Sequence, residues 1–185
     1  LLNSSCYGAE AMSFALEERV RCGVALVEQF IPLSAVTTTS LAIARQFKRE
    51  FPRIEVRASV NMRVGSVAAM AHLADSFDGY YLKRELNRSP SQITALKAWC
   101  DAHGKSLHLL ANSGCLYDCA YQTFHDNLVA HEAEARQQPG RPLAYPAPCW
   151  EFLEKPERWP WLLRNCWIRP EDIHHYEAWF STVKL

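Results

Sequence analysis

The chain has 185 residues, 49% of them hydrophobic, and its twenty Lys and Arg balance its twenty Asp and Glu, leaving no formal net charge. That length suits a single core, and the charge balance gives no basic footprint for a phosphate backbone, so nucleic acid is unsupported as a partner. Every apolar run is broken well short of the roughly 18 residues that a membrane span requires, so no membrane association is expected, and with no signal-peptide pattern the expected compartment is the cytoplasm.

The opening Leu1-Leu2-Asn3 and the closing Val183-Lys184-Leu185 both read as strand, and the first residue is not Met, so a piece of a longer chain is expected. Glu10 to Phe30 is apolar at helical period, with an interruption expected at Gly23. Ser34 to Thr39 is short and β-branched, as strands are. Ser40 can cap a helix through Leu41, Ala44, Phe47 and Phe51, which Pro52 stops. Ile54 to Val60 alternates as a strand, Val67 to Leu73 as a helix, and Gly79 to Leu82 is a compact apolar strand. Ser89-Pro90 opens a further helix that runs to about His103, and Ser106 to Ala111 is again strand.

Strands alternating with helices in this rhythm imply a parallel sheet with helices outside it. A doubly wound sheet and a closed barrel both fit. The stretch at about 134–148, centred on Gln137-Gln138-Pro139-Gly140-Arg141-Pro142, reads as a long loop, and long loops in compact domains are usually functional or disordered. Pro156 to Asn165 and Pro170 to Phe180 read as helices, and Ser181 to Leu185 as a last strand.

Seven cysteines stand at positions 6, 22, 100, 115, 119, 149 and 166. The odd number and the lack of an export signal argue against a disulfide framework and for metal binding with leftover thiols. Cys115 and Cys119 follow a strand and the Gly114 turn, four apart. If helix follows at once, they share one helical face near its N-terminus, where thiolates are favoured. Leu1-Leu2-Asn3-Ser4-Ser5-Cys6 repeats the pattern of Leu110-Ala111-Asn112-Ser113-Gly114-Cys115. In parallel α/β folds the carboxyl ends of the strands carry the site, which would gather Cys6, Cys115 and Cys119 at one rim. Cys149 and Cys166 are candidates to complete the set, whereas Cys22 and Cys100 fall within helices and read as fillers. A radical-SAM pattern would need a third cysteine where Gln122 stands.

Asn112-Ser113-Gly114-Cys115-Leu116-Tyr117-Asp118-Cys119, followed by His125, Asn127 and His131, resembles the central signature of the peptidase U32 family. Trp167-Ile168-Arg169-Pro170-Glu171-Asp172-Ile173 and Val183-Lys184-Leu185 resemble its downstream motif and following strand. The resemblance implies a parallel (βα) barrel of TIM type and an oxygen-sensitive [4Fe-4S] cluster on four cysteines. It carries over Cys115, Cys119 and Cys149 as ligands, with Cys6 favoured as the fourth and Cys166 the alternative. Family members include collagenase-like proteases, and proteins that support oxygen-independent hydroxylation in ubiquinone synthesis or on RNA. A partner protein of the same family is therefore a further expectation; the substrate is not. An eight-stranded barrel takes about 250 residues, so an open or incomplete barrel is expected here.

Two polar residues are candidates for catalytic work. His125 could orient a ligand or substrate, or be a satisfied interior group. Arg169, with Glu171 and Asp172, could bind substrate, although Pro170-Glu171-Asp172 is also what a helix start looks like. His174-His175 reads as surface. Hydrolysis needs an activated nucleophile or metal-bound water, and neither Gly-x-Ser-x-Gly nor His-Glu-x-x-His is present. A cluster-dependent enzyme or enzyme component is the leading expectation. The others are a peptidase and a non-catalytic scaffold stabilised by Zn, which four thiolates also bind.

Overall fold

The computed structural model describes residues 2–132, 147–164 and 166–185. Four strands form one parallel sheet in the order β1 (Ala35–Thr38), β2 (Glu55–Ala58), β3 (Gly79–Tyr81) and β4 (Ser106–His108). Helices connect them: α1 (Phe14–Glu28) precedes β1, and α2 (Leu41–Glu50), α3 (Val67–Leu73) and α4 (Pro90–Ala102) make the crossovers. Neighbours in sequence are thus neighbours in the sheet, the progression of a (βα) repeat. Lys184 adds a parallel bridge to Leu110, donating to the Leu109 carbonyl and accepting from the Ala111 amide, both at 2.9 Å.

Local chemistry explains the element starts. The side chains of Ser13, Ser40 and Ser66 accept from the amides of Leu16, Ile43 and Ala69, capping α1, α2 and α3. Pro90 opens α4, where its missing N–H is no loss. The interruption expected at Gly23 does not occur. The stripe of Leu16, Val20 and Val24 is buried on both sides of it, and packing outweighs the roughly 1 kcal/mol that a helical Gly costs.

Val56 and Ala58 alternate inward on β2, and with Ile43, Phe47, Met70, Phe77, Tyr80, Ile93, Leu96 and Leu107 they form the core between sheet and helices. Tyr80 is fully buried, and its hydroxyl donates to the Met70 carbonyl at 3.0 Å.

Four expected elements differ. The last strand expected over Ser181–Leu185 is reduced to the single bridge at Lys184. Leu2 and Asn3 lie in a turn rather than a strand; Ser4 and Ser5 bond to side chains of the rim instead of to a neighbouring strand. Pro156–Arg158 and Pro170–Tyr176 are 3-10 turns, and only Pro160–Leu163 between them is α-helical. The long loop at about 134–148 lies outside the described residues except for its end, where Pro148 opens a helix, Pro148–Leu153, that carries Cys149. Among the described residues no helix is long and apolar enough to cross a membrane.

Candidate functional site

The loops after the strands converge on one rim. At β1 and β2, the opening segment is held by Thr39, whose hydroxyl donates to the Ser4 carbonyl, and by Asn61, whose Nδ2 donates to Ser5 Oγ at 3.5 Å. Cys6 stands in this segment, with its sulfur accepting from the Gly8 amide at 3.4 Å. At the other side of the rim, the chain leaves β4 through Leu110 and Ala111 and reaches Cys115. The opening segment and the Cys115 turn therefore both sit at the carboxyl ends of parallel strands.

Cys115 and Cys119 do not share a helical face. Asp118 takes φ 53°, a left-handed conformation that ends any helical path between them, and the next helix, α5 (Gln122–Ala130), begins only after Cys119. The two thiols are set by a turn, so the helix-terminus argument for their acidity does not apply.

Burial first, then Cys119 and last Cys115, push the Cys149 thiol up. Cys166 lies under the same turn: its amide meets the Cys115 carbonyl at 3.4 Å, and its own carbonyl accepts from Asn87 Nδ2 at 2.7 Å. Its side chain is covered, with its thiol pushed up to about 12 by burial first, then by Glu85 and Cys115, against Arg84 and Arg88.

Exposure sorts the cysteines. Cys6, Cys115, Cys119 and Cys149 are half-buried, Cys100 and Cys166 are buried, and Cys22 is exposed on α1. Cys100 packs against Met70, with sulfurs 3.9 Å apart, and burial raises its thiol to about 11. Among the described residues no group of three or more His, Cys, Asp or Glu side chains is arranged to hold a single metal ion.

Neither catalytic candidate joins this rim through a contact of its own. His125 is exposed on α5 rather than interior. Arg169 is exposed and forms a two-pronged pair with Asp172, at 2.8 and 2.7 Å, across the start of its own 3-10 turn. Pro170, Glu171 and Asp172 thus do what a helical start does. His174 and His175 lie on the surface.

A second polar constellation was not picked out from the sequence. The sheet face opposite the helices carries Glu55, Arg57, Tyr81, Ser106 and His108. Arg57 pairs with Glu55 at 2.5 Å, Ser106 donates to Glu55, and His108 Nε2 lies 2.8 Å from Ser106 Oγ and 3.5 Å from Glu55. The Tyr81 and His108 rings lie 5.1 Å apart, and Lys184 Nζ sits 5.4 Å from the Tyr81 ring centre. Gly79 makes the crossing possible, since a Cβ there would meet Ser106 Oγ and lie 3.0 Å from Glu55 and 3.2 Å from His108.

Burial works to raise the Glu55 carboxyl, but the Arg57 and Ser106 hydrogen bonds outweigh it and hold it at about 2. Burial and Arg57 lower His108, against Glu55, so the imidazole is favoured neutral. The signal for this face was the spacing Glu55-x-Arg57 and Ser106-x-His108, since residues two apart on a strand share a face.

No family model matches the chain, and no curated protein or solved structure matches it.

Proposed function

We propose that the chain is the cysteine-bearing part of an incomplete TIM-type barrel that holds a [4Fe-4S] cluster on Cys115, Cys119, Cys149 and Cys6. It would act as an enzyme or enzyme component in oxygen-independent modification of its substrate. The observation that carries the reading is the placement of Cys149 at the start of the helix Pro148–Leu153, half-buried like Cys6, Cys115 and Cys119.

Three half-buried thiols, those of Cys115, Cys119 and Cys149, are a donor type suited to iron–sulfur clusters and zinc alike. A single tetrahedral zinc, with bonds of about 2.3 Å, needs its sulfurs drawn tightly onto one point. A cubane spreads its thiolates wider, which suits ligands drawn from a turn, a helix start and the opening segment. Cys6 is favoured over Cys166 because it shares the partial exposure of the other three, whereas Cys166 is covered and its backbone is fixed by Asn87. Bound there, a cluster supplies one-electron chemistry. The chain's part is to hold four thiolates at one rim and to keep Cys100 and Cys166 out of competition.

Anaerobic purification with a visible spectrum and iron and sulfide analysis tests this. Iron should be lost on Cys→Ala substitution at 115, 119, 149 or 6 and kept on substitution at 22 or 100. Iron lost at 166 and kept at 6 would reassign the fourth place. Protein prepared anaerobically that holds one zinc and no iron would overturn the reading.

A further inference from the structure

Arg57 and Arg84 both carry guanidinium nitrogens buried without an acceptor, yet only Arg57 has a carboxylate, that of Glu55. Arg84 Nη2 donates to the neutral Asn61 Oδ1 at 2.6 Å, while Nε and Nη1 are buried and have no acceptor. None of the ion pairs among the described residues includes Arg84. A cation with buried N–H groups and neither counter-charge nor full hydrogen bonding is unfavourable, and such groups are normally paired. Something that the described residues do not supply would complete it.

The position is that of a ligand site. Arg84 follows β3 by three residues, at the carboxyl ends of the strands, where parallel α/β folds bind their ligands. On one side Asn61 links it to Ser5 and to a cleft lined by Asn3, Ser4, Ser5, Asn61 and Asp126. On the other it is close enough to Cys166 to act on that thiol. Of the cationic neighbours, Arg88 donates to the Trp167 carbonyl at 3.1 Å, and the Lys83 stem lies against Gly65.

We infer that Arg84 is the anchor for the carboxylate of a small organic acid bound at the carboxyl rim, with Asn61 as the residue that positions it. One guanidinium that no ion pair among the described residues occupies matches a singly charged carboxylate. A phosphate dianion would call for more positive charge than this place offers.

The test follows the Arg84 Nε–H resonance in arginine-labelled full chain during titration with sodium acetate, against sodium chloride at matched ionic strength. Acetate should shift it saturably and chloride should not. Arg84→Gln should abolish the rise in melting temperature that acetate gives the unaltered protein, and should itself melt no lower, since it removes an unpaired buried charge. Asn61→Ala should keep the response but weaken it about tenfold, the equivalent of 1.4 kcal/mol. Cys115→Ala should bind acetate as the unaltered chain does, so failure here and failure of the metal reading are separable. An equal response to chloride, an unchanged acetate response in Arg84→Gln, or tighter binding of inorganic phosphate than of acetate would each overturn the assignment. If Arg84→Gln does not fold, Arg84→Lys decides: stable protein with no acetate response supports the site, and an unchanged response refutes it.

Discussion

Asn87 clamps Cys166 to the rim: its Nδ2 donates to the Cys166 carbonyl at 2.7 Å and, at 2.9 Å, to that of Leu110. Asn87 is 1% exposed, and its own carbonyl accepts from the Tyr176 hydroxyl. One residue, through its side chain and its backbone carbonyl, thus ties together the strand before Cys115, the segment bearing Cys166 and the last turn. Asn87→Ala strands two carbonyl acceptors, at about 1–3 kcal/mol for each that stays buried. A denaturant midpoint lowered with an unchanged slope is the expected result, and an unshifted midpoint would show that water replaces the clamp.

Gly79 and Ser106 should be coupled. Gly79→Ala alone pushes a methyl into the Ser106 hydroxyl and should destabilise by about 1–3 kcal/mol, the usual range for overpacking. Ser106→Ala removes the nearest atom, so adding Gly79→Ala to it should cost much less. A double-mutant cycle by chemical denaturation measures the difference, and strict additivity would contradict the crossing of side chains over β3.

The inner face also sets an acid limit in two stages. The folded pKa of His108 lies below its ordinary 6.5, so the unfolded chain takes up a proton first and stability falls as pH drops below 6.5. Glu55 is held at about 2 against an ordinary 4.5, so its contribution is present in full above 4.5 and is lost as pH falls through that window towards 2. Urea titrations as a function of pH should show Glu55→Gln flattening the lower window and His108→Gln the upper. Parallel curves for Glu55→Gln and the unaltered protein between 4.5 and 2 would contradict the pairing with Arg57.

Thiol labelling should follow exposure. Brief treatment of the metal-free native protein with iodoacetamide, read by peptide mass spectrometry, should mark Cys22 readily and leave Cys100 and Cys166 unmodified until denaturant is added. Cys149 should react more slowly than Cys22, because burial and its neighbouring thiols disfavour its thiolate. Labelling of Cys166 at the rate of Cys22 would mean that the Asn87 clamp opens readily.

The repeat was legible because each strand announced itself locally: Ala35–Thr38, Glu55–Ala58, Gly79–Tyr81 and Ser106–His108 all lie within the runs read as strand. The helix after Cys115 was misjudged because the spacing of Cys115 and Cys119 fits a helical face, and only the left-handed conformation of Asp118 shows that a turn stands there. The opening residues resembled the strand before Cys115 in composition, but strand formation depends on a neighbour to pair with, which composition does not reveal. Arg84 drew no attention for the same reason. An unpartnered arginine is defined by what fails to surround it, and linear spacing carries no trace of that.

The bridge between Leu110 and Lys184 gives the chain a timing problem during synthesis. The outer edge of β4 stays without that partner until residue 184 has been made, 76 residues after β4 ends at His108 (184 − 108). At translation rates of about 5–20 residues per second that is roughly 4–15 s, far longer than the microseconds in which hairpins and helices form. For that interval Leu109 to Ala111 is an uncovered strand edge directly ahead of Cys115, open to pairing with another nascent copy. Ribosomes closely spaced on one message would therefore bring such edges together while they are still uncovered.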